Sequence, residues 1–295
     1  MNEPTSTPLP ELSGASRLCA LAFSASVLMD LARKGHSPTI SAILREQPTG
    51  IMPRSATYAD IFESCHALMW SGYRSEYVYK NAIARRILLG RHSLQNTRFL
   101  TEFRVADCKA DVVLINGTST CYEIKTELDD FERLARQLEA YRRVFDRIYV
   151  VTFSGSVQRL SRHLEPDIGI LELTEKYRFA TKRPAISNRA NVDPLTIFDS
   201  MRRSEYTRVL RDATIPIPNV PNTQIYGECR RLFSRLSPEA AHDGMVRALR
   251  QRTIPSEVLH LAETSVPSIT AAILGAPLSA SDARRLTRAL TQALQ

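Results

Sequence analysis

The sequence predicts an α/β protein in which a mixed β-sheet is flanked by helices, with further helices at both ends of the chain. The middle of the chain alternates between β-branched apolar runs, typical of buried strands, and amphipathic stretches, typical of helices. A strand, helix and strand in succession form a crossover unit, which makes the two strands parallel. The chain has 295 residues and 43% hydrophobic composition, which is enough to bury a core of this kind.

Composition and periodicity divide the chain into four segments. Residues 1–13 are rich in Pro, Ser, Thr and Glu and predict a disordered arm. Residues 14–72 have helical periodicity and predict a small N-terminal helical module. Residues 73–183 carry the strand patterns and predict the core. Residues 184–295 return to helical patterns broken by prolines, and predict a helical C-terminal region.

The strand pattern begins with three segments that predict an antiparallel meander. Phe99 to Val105 alternates between apolar and polar residues, and Ala110 to Ile115 is a β-branched apolar run. Asn116-Gly117 follows, which is a strong signal for a hairpin turn. Ser119 to Lys125 is then the returning strand.

A crossover unit follows the meander. A helix is predicted from about Asp129 to Phe145, with acidic residues at its start and apolar residues at helical spacing. Arg147 to Phe153 is another β-branched run, so it predicts a strand parallel to the one before the helix. A short hairpin is predicted from Gly169 to Phe179.

The charge of the chain favours a polyanionic partner without requiring one. Lys and Arg number 39 against 31 Asp and Glu, which gives a formal net charge of +8 and a pI of about 9.4. A basic chain attracts nucleic acid, although an excess of this size also occurs as ordinary solubility charge.

The cysteines and the apolar segments indicate a cytoplasmic protein that does not enter a membrane. The five cysteines form no CxxC pair, which argues against structural zinc and fits a reducing compartment. The apolar run from Leu18 to Met29 is shorter than the roughly 20 residues that a transmembrane helix needs.

Two carboxylates and a lysine are predicted to meet at one end of the meander. Antiparallel pairing across the Asn116-Gly117 turn brings Asp111 beside Glu123, and side-chain alternation puts Glu123 and Lys125 on the same face. The two carboxylates and the backbone carbonyl of Ile124 are oxygen ligands suited to Mg²⁺ or Mn²⁺. Lys125 could orient the attacking water or stabilise charge in the transition state.

This pattern is short, and a salt-bridged strand surface would also produce it. Apolar runs flank both halves of the pattern, so the charges interrupt strands that are otherwise buried. Buried charge is costly unless it is paired or bound to a metal ion. The site interpretation therefore has physical support beyond the spacing alone.

The stretches Lys109-Ala110-Asp111-Val112-Val113 and Tyr122-Glu123-Ile124-Lys125-Thr126 resemble the PD-(D/E)XK nuclease superfamily, although Ala110 stands where the motif name has proline. Gln137 and Tyr141 form a QxxxY pattern that resembles the additional motif of RecB-like nucleases, including the CRISPR-associated ones. The block from Glu76 to Phe153 is also similar to a largely uncharacterised bacterial family built on this core. The resemblance implies a restriction-endonuclease-like sheet, a catalytic group that includes Gln137 and Tyr141, and a homodimer as one assembly.

Further residues complete the predicted site. Glu76 is the candidate for an extra acid on the first helix of the core, with Glu102 as an alternative, and a solvated carboxylate is the competing interpretation. Arg91, His92 and Arg136 are candidate contacts to nucleic acid, although such residues also serve as helix caps or as a solvated basic face. Tyr141 also fits a core aromatic position.

The sequence thus predicts a Mg²⁺- or Mn²⁺-dependent nuclease that hydrolyses phosphodiester bonds, most plausibly in DNA, in defence, repair or mobile-element biology. Two alternatives stay open: a non-catalytic DNA-binding or regulatory protein on the same scaffold, and a ribonuclease. The sequence contains no GxSxG nucleophile elbow, no Walker P-loop and no GxGxxG after a strand, which argues against other enzyme classes.

Overall fold

The computed structural model describes residues 14–46, 56–127, 129 and 131–293, and it has the predicted α/β architecture. The predicted arm at residues 1–13 lies outside this range. One six-stranded sheet has its strands side by side in chain order. The strands are β1 Arg98–Val105, β2 Cys108–Ile115, β3 Ser119–Ile124, β4 Arg147–Thr152, β5 Gly169–Leu173 and β6 Phe179–Arg183.

The sheet is mixed, as predicted. The strands β1, β2 and β3 form the antiparallel meander, and β3, β4 and β5 run parallel to one another. The strand β6 returns antiparallel to β5. The predicted direction of β4 and the predicted final hairpin are both confirmed.

Helices surround the sheet and account for most of the remaining described residues. One continuous helical run contains α5 (Glu76–Ala82), a π-helical segment (Ile83–Leu88) and α6 (Leu89–Arg91). The other α-helices are α1 Gly14–Ala22, α2 Ala25–Lys34, α3 Pro38–Glu46, α4 Tyr58–Ser71, α7 Leu134–Arg142, α8 Ser154–His163, α9 Pro194–Asp199, α10 Arg203–Asp212, α11 Asn222–Phe233, α12 Pro238–Arg250, α13 Ser256–Thr264, α14 Thr270–Gly275 and α15 Ala280–Thr291.

Local side-chain hydrogen bonds define several helix starts. Thr57 and Asp60 form a capping box at the start of α4, in which each side chain accepts a hydrogen bond from the backbone N–H of the other. Asp193 caps α9, with proline in the first helical position. These caps satisfy N–H groups that have no partner within the helix.

Each face of the sheet is covered by its own set of helices. The first face carries Val112, Leu114 and Ile124, and it packs against α1 to α5 and α13 to α15. The second face carries Val113 and Cys121, and it packs against α7 to α12. Helices from both ends of the chain therefore share one core on the first face.

The predicted start of the helix after β3 is wrong. The helix α7 begins at Leu134, five residues after the predicted start at Asp129. The Asp129 carboxylate instead accepts a hydrogen bond from the backbone N–H of Thr126 at 2.7 Å. Aspartate readily forms such local bonds, which compete with helix formation.

None of the described helices has the length and apolar character needed to cross a bilayer.

A buried polar network joins α12 to the start of β3. Ser119 Oγ lies 2.8 Å from His242 Nε2 and accepts a hydrogen bond from the backbone N–H of Asp146 at 3.0 Å. Thr118 donates to the Asp146 carboxylate at 2.6 Å. Ser119 and His242 are almost completely buried, so the network links parts of the fold and does not face a substrate.

Burial lowers the pKa of His242, although Asp243 and Asp146 oppose this effect. The unfolded chain takes up a proton on this histidine near pH 6.5, while the folded chain resists protonation. The free energy of unfolding should therefore fall as the pH drops through 6.5 and below. We expect His242→Gln to reduce this pH dependence, measured by urea denaturation at pH 7.5 and pH 5.5.

The matched control for this prediction is His163→Gln, because His163 is exposed at the end of α8. It should leave the pH dependence as in the wild type. An unchanged pH dependence in His242→Gln would show that the buried histidine does not control acid stability.

Candidate active site

The pairing of β2 with β3 brings Asp111 beside Glu123. Ile115 pairs with Ser119 and Val112 pairs with Tyr122, so the next pair in the same register is Asp111 with Glu123. The turn that sets this register contains Gly117, whose φ of 127° favours glycine. Asp111 Oδ2 also accepts a hydrogen bond from the backbone N–H of Ile124 at 2.7 Å, which fixes the carboxylate against β3.

The pairing of β1 with β2 is irregular next to Asp111. Thr101 pairs with Val112 and Phe103 pairs with Ala110, so Glu102 and Asp111 are omitted from the ladder. Glu102 has a φ of 53°, in the left-handed region that residues other than glycine rarely adopt. Such strain is found disproportionately at functional sites, where the surrounding structure maintains it.

Three carboxylates gather at this irregularity. Carboxylate oxygens of Glu76, Glu102 and Asp111 lie within 4.8 Å of one another, and we call this group the acidic cluster. Lys80 Nζ lies 2.5 Å from Glu76 Oε1 and 2.7 Å from Glu102 Oε1. The sequence predicted Glu76, with Glu102 as an alternative, as an extra acid of the site, whereas the structure brings both to Asp111.

The remaining predicted side chains form a hydrogen-bonded group beside the acidic cluster. Lys125 Nζ lies 3.2 Å from Glu123 Oε1 and donates to Gln137 Oε1 at 3.0 Å. The Tyr141 hydroxyl lies 3.0 Å from Glu123 Oε2. Gln137 and Tyr141 are one helical turn apart on α7, so the QxxxY spacing places both on the side that meets β3.

The Tyr141 hydroxyl has more acceptors than protons. It lies 2.8 Å from the backbone carbonyl oxygen of Lys109 as well as 3.0 Å from Glu123 Oε2. A carbonyl oxygen can only accept, and a hydroxyl carries one proton. When Tyr141 donates to Lys109, a protonated Glu123 carboxyl is the form that satisfies the second contact.

Burial and mutual repulsion raise the pKa values of the carboxylates. The pKa of Asp111 is raised well above its usual range by burial, and then by the charges of Glu123 and Glu76. Burial also raises the pKa of Glu123, although Lys125 and Tyr141 oppose the shift. Both carboxyl groups therefore stay protonated to a higher pH than usual unless further positive charge is nearby.

Lys80 supplies part of that positive charge. Burial alone would lower the pKa of Lys80, but Glu76 and Glu102 raise it above its usual value. Lys109 adds a third positive charge, since its Nζ lies 4.0 Å from Glu102 Oε2. With the carboxylates of Glu76, Glu102, Asp111 and Glu123 ionised and Lys80, Lys109 and Lys125 protonated, the group has a formal charge of −1.

The donor set fits a hard divalent cation. Carboxylate oxygens are the ligands that Mg²⁺ and Mn²⁺ prefer, and such an ion would offset the remaining negative charge. Asp111 with Glu76 and Glu102 supplies these oxygens. Both oxygens of Glu123 contact other side chains, and Ile124 holds Asp111 through its N–H, so the predicted ligand roles of Glu123 and of the Ile124 carbonyl stay predictions.

A cleft gives access to the acidic cluster. Glu76, Lys80 and Glu102 line a cleft of about 460 Å³ between the first-face helices and β1. The Glu76 and Glu102 side chains are 48% and 51% exposed. One wall is α14, which approaches β1 so closely that a Cβ at Gly275 would lie 3.1 Å from Thr101 Oγ1.

The predicted nucleic-acid contacts do not gather at this cleft. Arg136 is exposed on α7 and pairs with Asp107 at 3.4 Å. The His92 ring lies 3.3 Å from Asn116 Nδ2 in the hairpin turn. Asn116 is five residues from Asp111 along β2, or roughly 17 Å at the rise of a β-strand. His92 and the adjacent Arg91 are therefore remote from the acidic cluster.

Comparison with known proteins identifies the family. A model of the family described as Bacteriophage P4 protein cII matches residues 69–273, so the chain belongs to this family. The matched range includes the acidic cluster together with Glu123, Lys125, Gln137 and Tyr141.

Individual relatives are distant. Protein cII of Enterobacteria phage P4 is 22% identical over 166 residues, and the match covers 54% of this chain and 61% of that protein. A protein of unknown function from Silicibacter pomeroyi is similar in structure with a TM-score of 0.32 and 18% identity, covering 45% of this chain and 89% of that one.

Asp111→Asn should stabilise the metal-free protein at pH 7.5, by on the order of 1 kcal/mol. A carboxylate whose pKa is raised by folding destabilises the fold at pH values above its pKa in the unfolded chain, and asparagine retains the oxygen that Ile124 contacts. This gain in the free energy of unfolding should disappear below about pH 3.9, where residue 111 of the wild type is protonated in the unfolded chain as well. Thermal denaturation at several pH values measures it.

Mn²⁺ should raise the melting temperature of the wild type and leave that of Asp111→Asn unchanged, because an ion stabilises only the state that binds it. Asp212→Asn is the control, because Asp212 is exposed at the end of α10. An equal response to Mn²⁺ in wild type and Asp111→Asn would place the ion elsewhere.

Proposed function

We propose that the protein is a metal-dependent nuclease that hydrolyses phosphodiester bonds, with DNA as the preferred substrate. The observation that supports this most strongly is the convergence of Asp111, Glu123 and Lys125 at one end of β2 and β3. The sequence resemblance to PD-(D/E)XK nucleases implies the same three residues. In addition, Glu76 and Glu102, whose carboxylates lie beside that of Asp111, line an open cleft.

The acidic cluster and Glu123 would hold Mg²⁺ or Mn²⁺. When bound, such an ion polarises a phosphodiester and lowers the pKa of a coordinated water. The backbone N–H of Ile124 orients Asp111, and the Tyr141 hydroxyl orients Glu123. These contacts restrict both carboxylates before any ion or substrate arrives.

Lys125 is the residue to which we assign charge stabilisation during hydrolysis. A water oxygen adds to the phosphorus and gives up one proton to solvent, the bond to the leaving sugar oxygen breaks, and the leaving oxygen takes up a proton from solvent. The ammonium of Lys125 is nearly buried and held by Glu123 and Gln137, so its position is set before the reaction. A preorganised donor of this kind stabilises charge without rearrangement in the transition state.

The roles of Gln137 and Tyr141 follow from their contacts. Gln137 accepts a hydrogen bond from Lys125, and we assign it to positioning the ammonium. Tyr141 contacts Glu123 and the Lys109 backbone, and we assign it to fixing the carboxylate relative to β2.

Labelled single- and double-stranded DNA should be cut with Mg²⁺ or Mn²⁺ and not with EDTA. Lys125→Ala should lower the rate by about 10²-fold or more, as expected when one preorganised donor is removed. The readout is product formation on denaturing gels. Lys34→Ala is the matched control, because Lys34 is exposed on α2 and pairs with Asp30 one helical turn away.

Parallel assays on RNA distinguish the substrate class. Cleavage of RNA alone would replace the DNA assignment with that of a ribonuclease. If neither polymer is cut, and DNA binding persists with EDTA and in Lys125→Ala, the nuclease proposal is wrong and a non-catalytic DNA-binding protein replaces it.

A further inference from the structure

Four arginines line a groove at the C-terminal part of the helical run that begins with Glu76. Arg85 and Arg86 come from the π-helical segment, Arg91 from α6, and Arg178 from the turn between β5 and β6. Together with Gly90 and Phe179 they enclose about 360 Å³, and we call this space the arginine groove. Of these four arginines, only Arg91 was predicted from the sequence to contact nucleic acid.

The arginine groove has an unbalanced positive charge. Among the residues that the structure describes, no carboxylate lies within the 4.0 Å ion-pair distance of any of its four guanidinium groups. Arginines elsewhere often have such a partner, as Arg230 has in Asp199. Like charges brought together repel, and a bound anion relieves this cost.

The groove is also preorganised. Arg86 Nε donates to the backbone carbonyl of Tyr177 at 3.0 Å, and its guanidinium carbon lies 5.4 Å from the centre of the Tyr177 ring. Tyr177 has a φ of 53°, in a turn closed by its N–H bonding to Thr174 at 2.9 Å. A side chain already held in place loses less conformational entropy when it binds.

The π-helical segment, which carries Arg85 and Arg86, is a second unusual feature of the arginine groove. The N–H of Leu89 bonds to the carbonyl of Ala84, five residues earlier, so the helix is wider here than an α-helix. Such segments are rare and frequently occur at functional sites. The wider turn changes the direction in which Arg85, Arg86 and the following Arg91 project.

We propose that the arginine groove binds the phosphodiester backbone of nucleic acid. Guanidinium groups match phosphate oxygens through paired hydrogen bonds. Among the described residues that line the groove, Phe179 is the single one with an apolar side chain. This disfavours an acidic protein partner, because protein interfaces depend on buried apolar anchors.

The position of the groove relates it to the candidate active site, so the inference rests in part on the proposed function. Glu76 and Arg86 are ten residues apart in one helical run, or about 15 Å at the rise of an α-helix. That distance corresponds to roughly four nucleotides of a B-form strand. One substrate strand could therefore contact the groove and the acidic cluster together.

Binding in EDTA tests the groove without any cleavage. The full chain would be titrated into a fluorescently labelled 20-base-pair duplex, and the anisotropy measured at 50 to 300 mM salt. Arg85→Gln/Arg178→Gln should weaken binding at least tenfold. It should also reduce the slope of log affinity against log salt by about 1.8, or about 0.9 for each lost phosphate contact.

The matched control is Arg208→Gln/Arg211→Gln, which removes two exposed arginines from α10 on the second face. It removes the same charge and should change affinity less than threefold. Thermal denaturation of both variants would establish that each is folded. Equal losses in the two double variants, or no loss in Arg85→Gln/Arg178→Gln, would overturn the proposal.

The two proposals fail in different ways. If the nuclease assignment is wrong, cleavage is absent while the arginine groove still controls binding in EDTA. If the groove proposal is wrong, Lys125-dependent cleavage remains and the groove variant binds as the wild type does. Tight binding of a polyglutamate peptide with no binding of the duplex would also overturn the groove proposal.

Discussion

The register between β2 and β3 is the constraint on which the candidate site depends. The Asn116-Gly117 turn fixes this register, because Gly117 adopts a φ of 127° and Ile115 then pairs with Ser119. A shift of one residue would send every side chain of β3 to the opposite face of the sheet. Asp111 would then lose its position beside Glu123.

That register concentrates negative charge, and the neighbouring residues compensate for it only in part. Lys80, Lys109 and Lys125 contribute three positive charges against the four carboxylates of the site. Burial and the charges of Glu123 and Glu76 disfavour the ionised form of Asp111 and so raise its pKa. A cluster of like charges lowers the free energy of unfolding of the protein. Such clusters are common where charged groups are positioned to bind a ligand.

The sequence predicted the features that depend on local signals. The turn dipeptide, the β-branched runs and the period-two alternation were sufficient for the meander and for the meeting of Asp111 with Glu123. The later start of α7 was missed, because the Asp129 carboxylate bonds to Thr126 and no helical pattern reveals this competition. The helix α8 was not predicted either. Its sequence, SGSVQRLSRH, has few apolar residues, although the parallel pairing of β4 with β5 requires such a crossover.

Features that depend on tertiary contacts could not be predicted from the sequence. The acidic cluster joins Glu76 of α5 to Glu102 and Asp111 of the sheet, and only the packing of α5 on the sheet brings them together. The arginine groove likewise joins Arg178 to residues about ninety positions earlier in the chain.

Anomalous diffraction from crystals soaked in Mn²⁺ would show directly whether Asp111 binds the ion. We expect a Mn²⁺ peak about 2.0–2.6 Å from an Asp111 carboxylate oxygen. If that peak is absent while Mn²⁺ is bound at other positions in the same crystal, Asp111 is not a metal ligand and the proposed metal site is wrong.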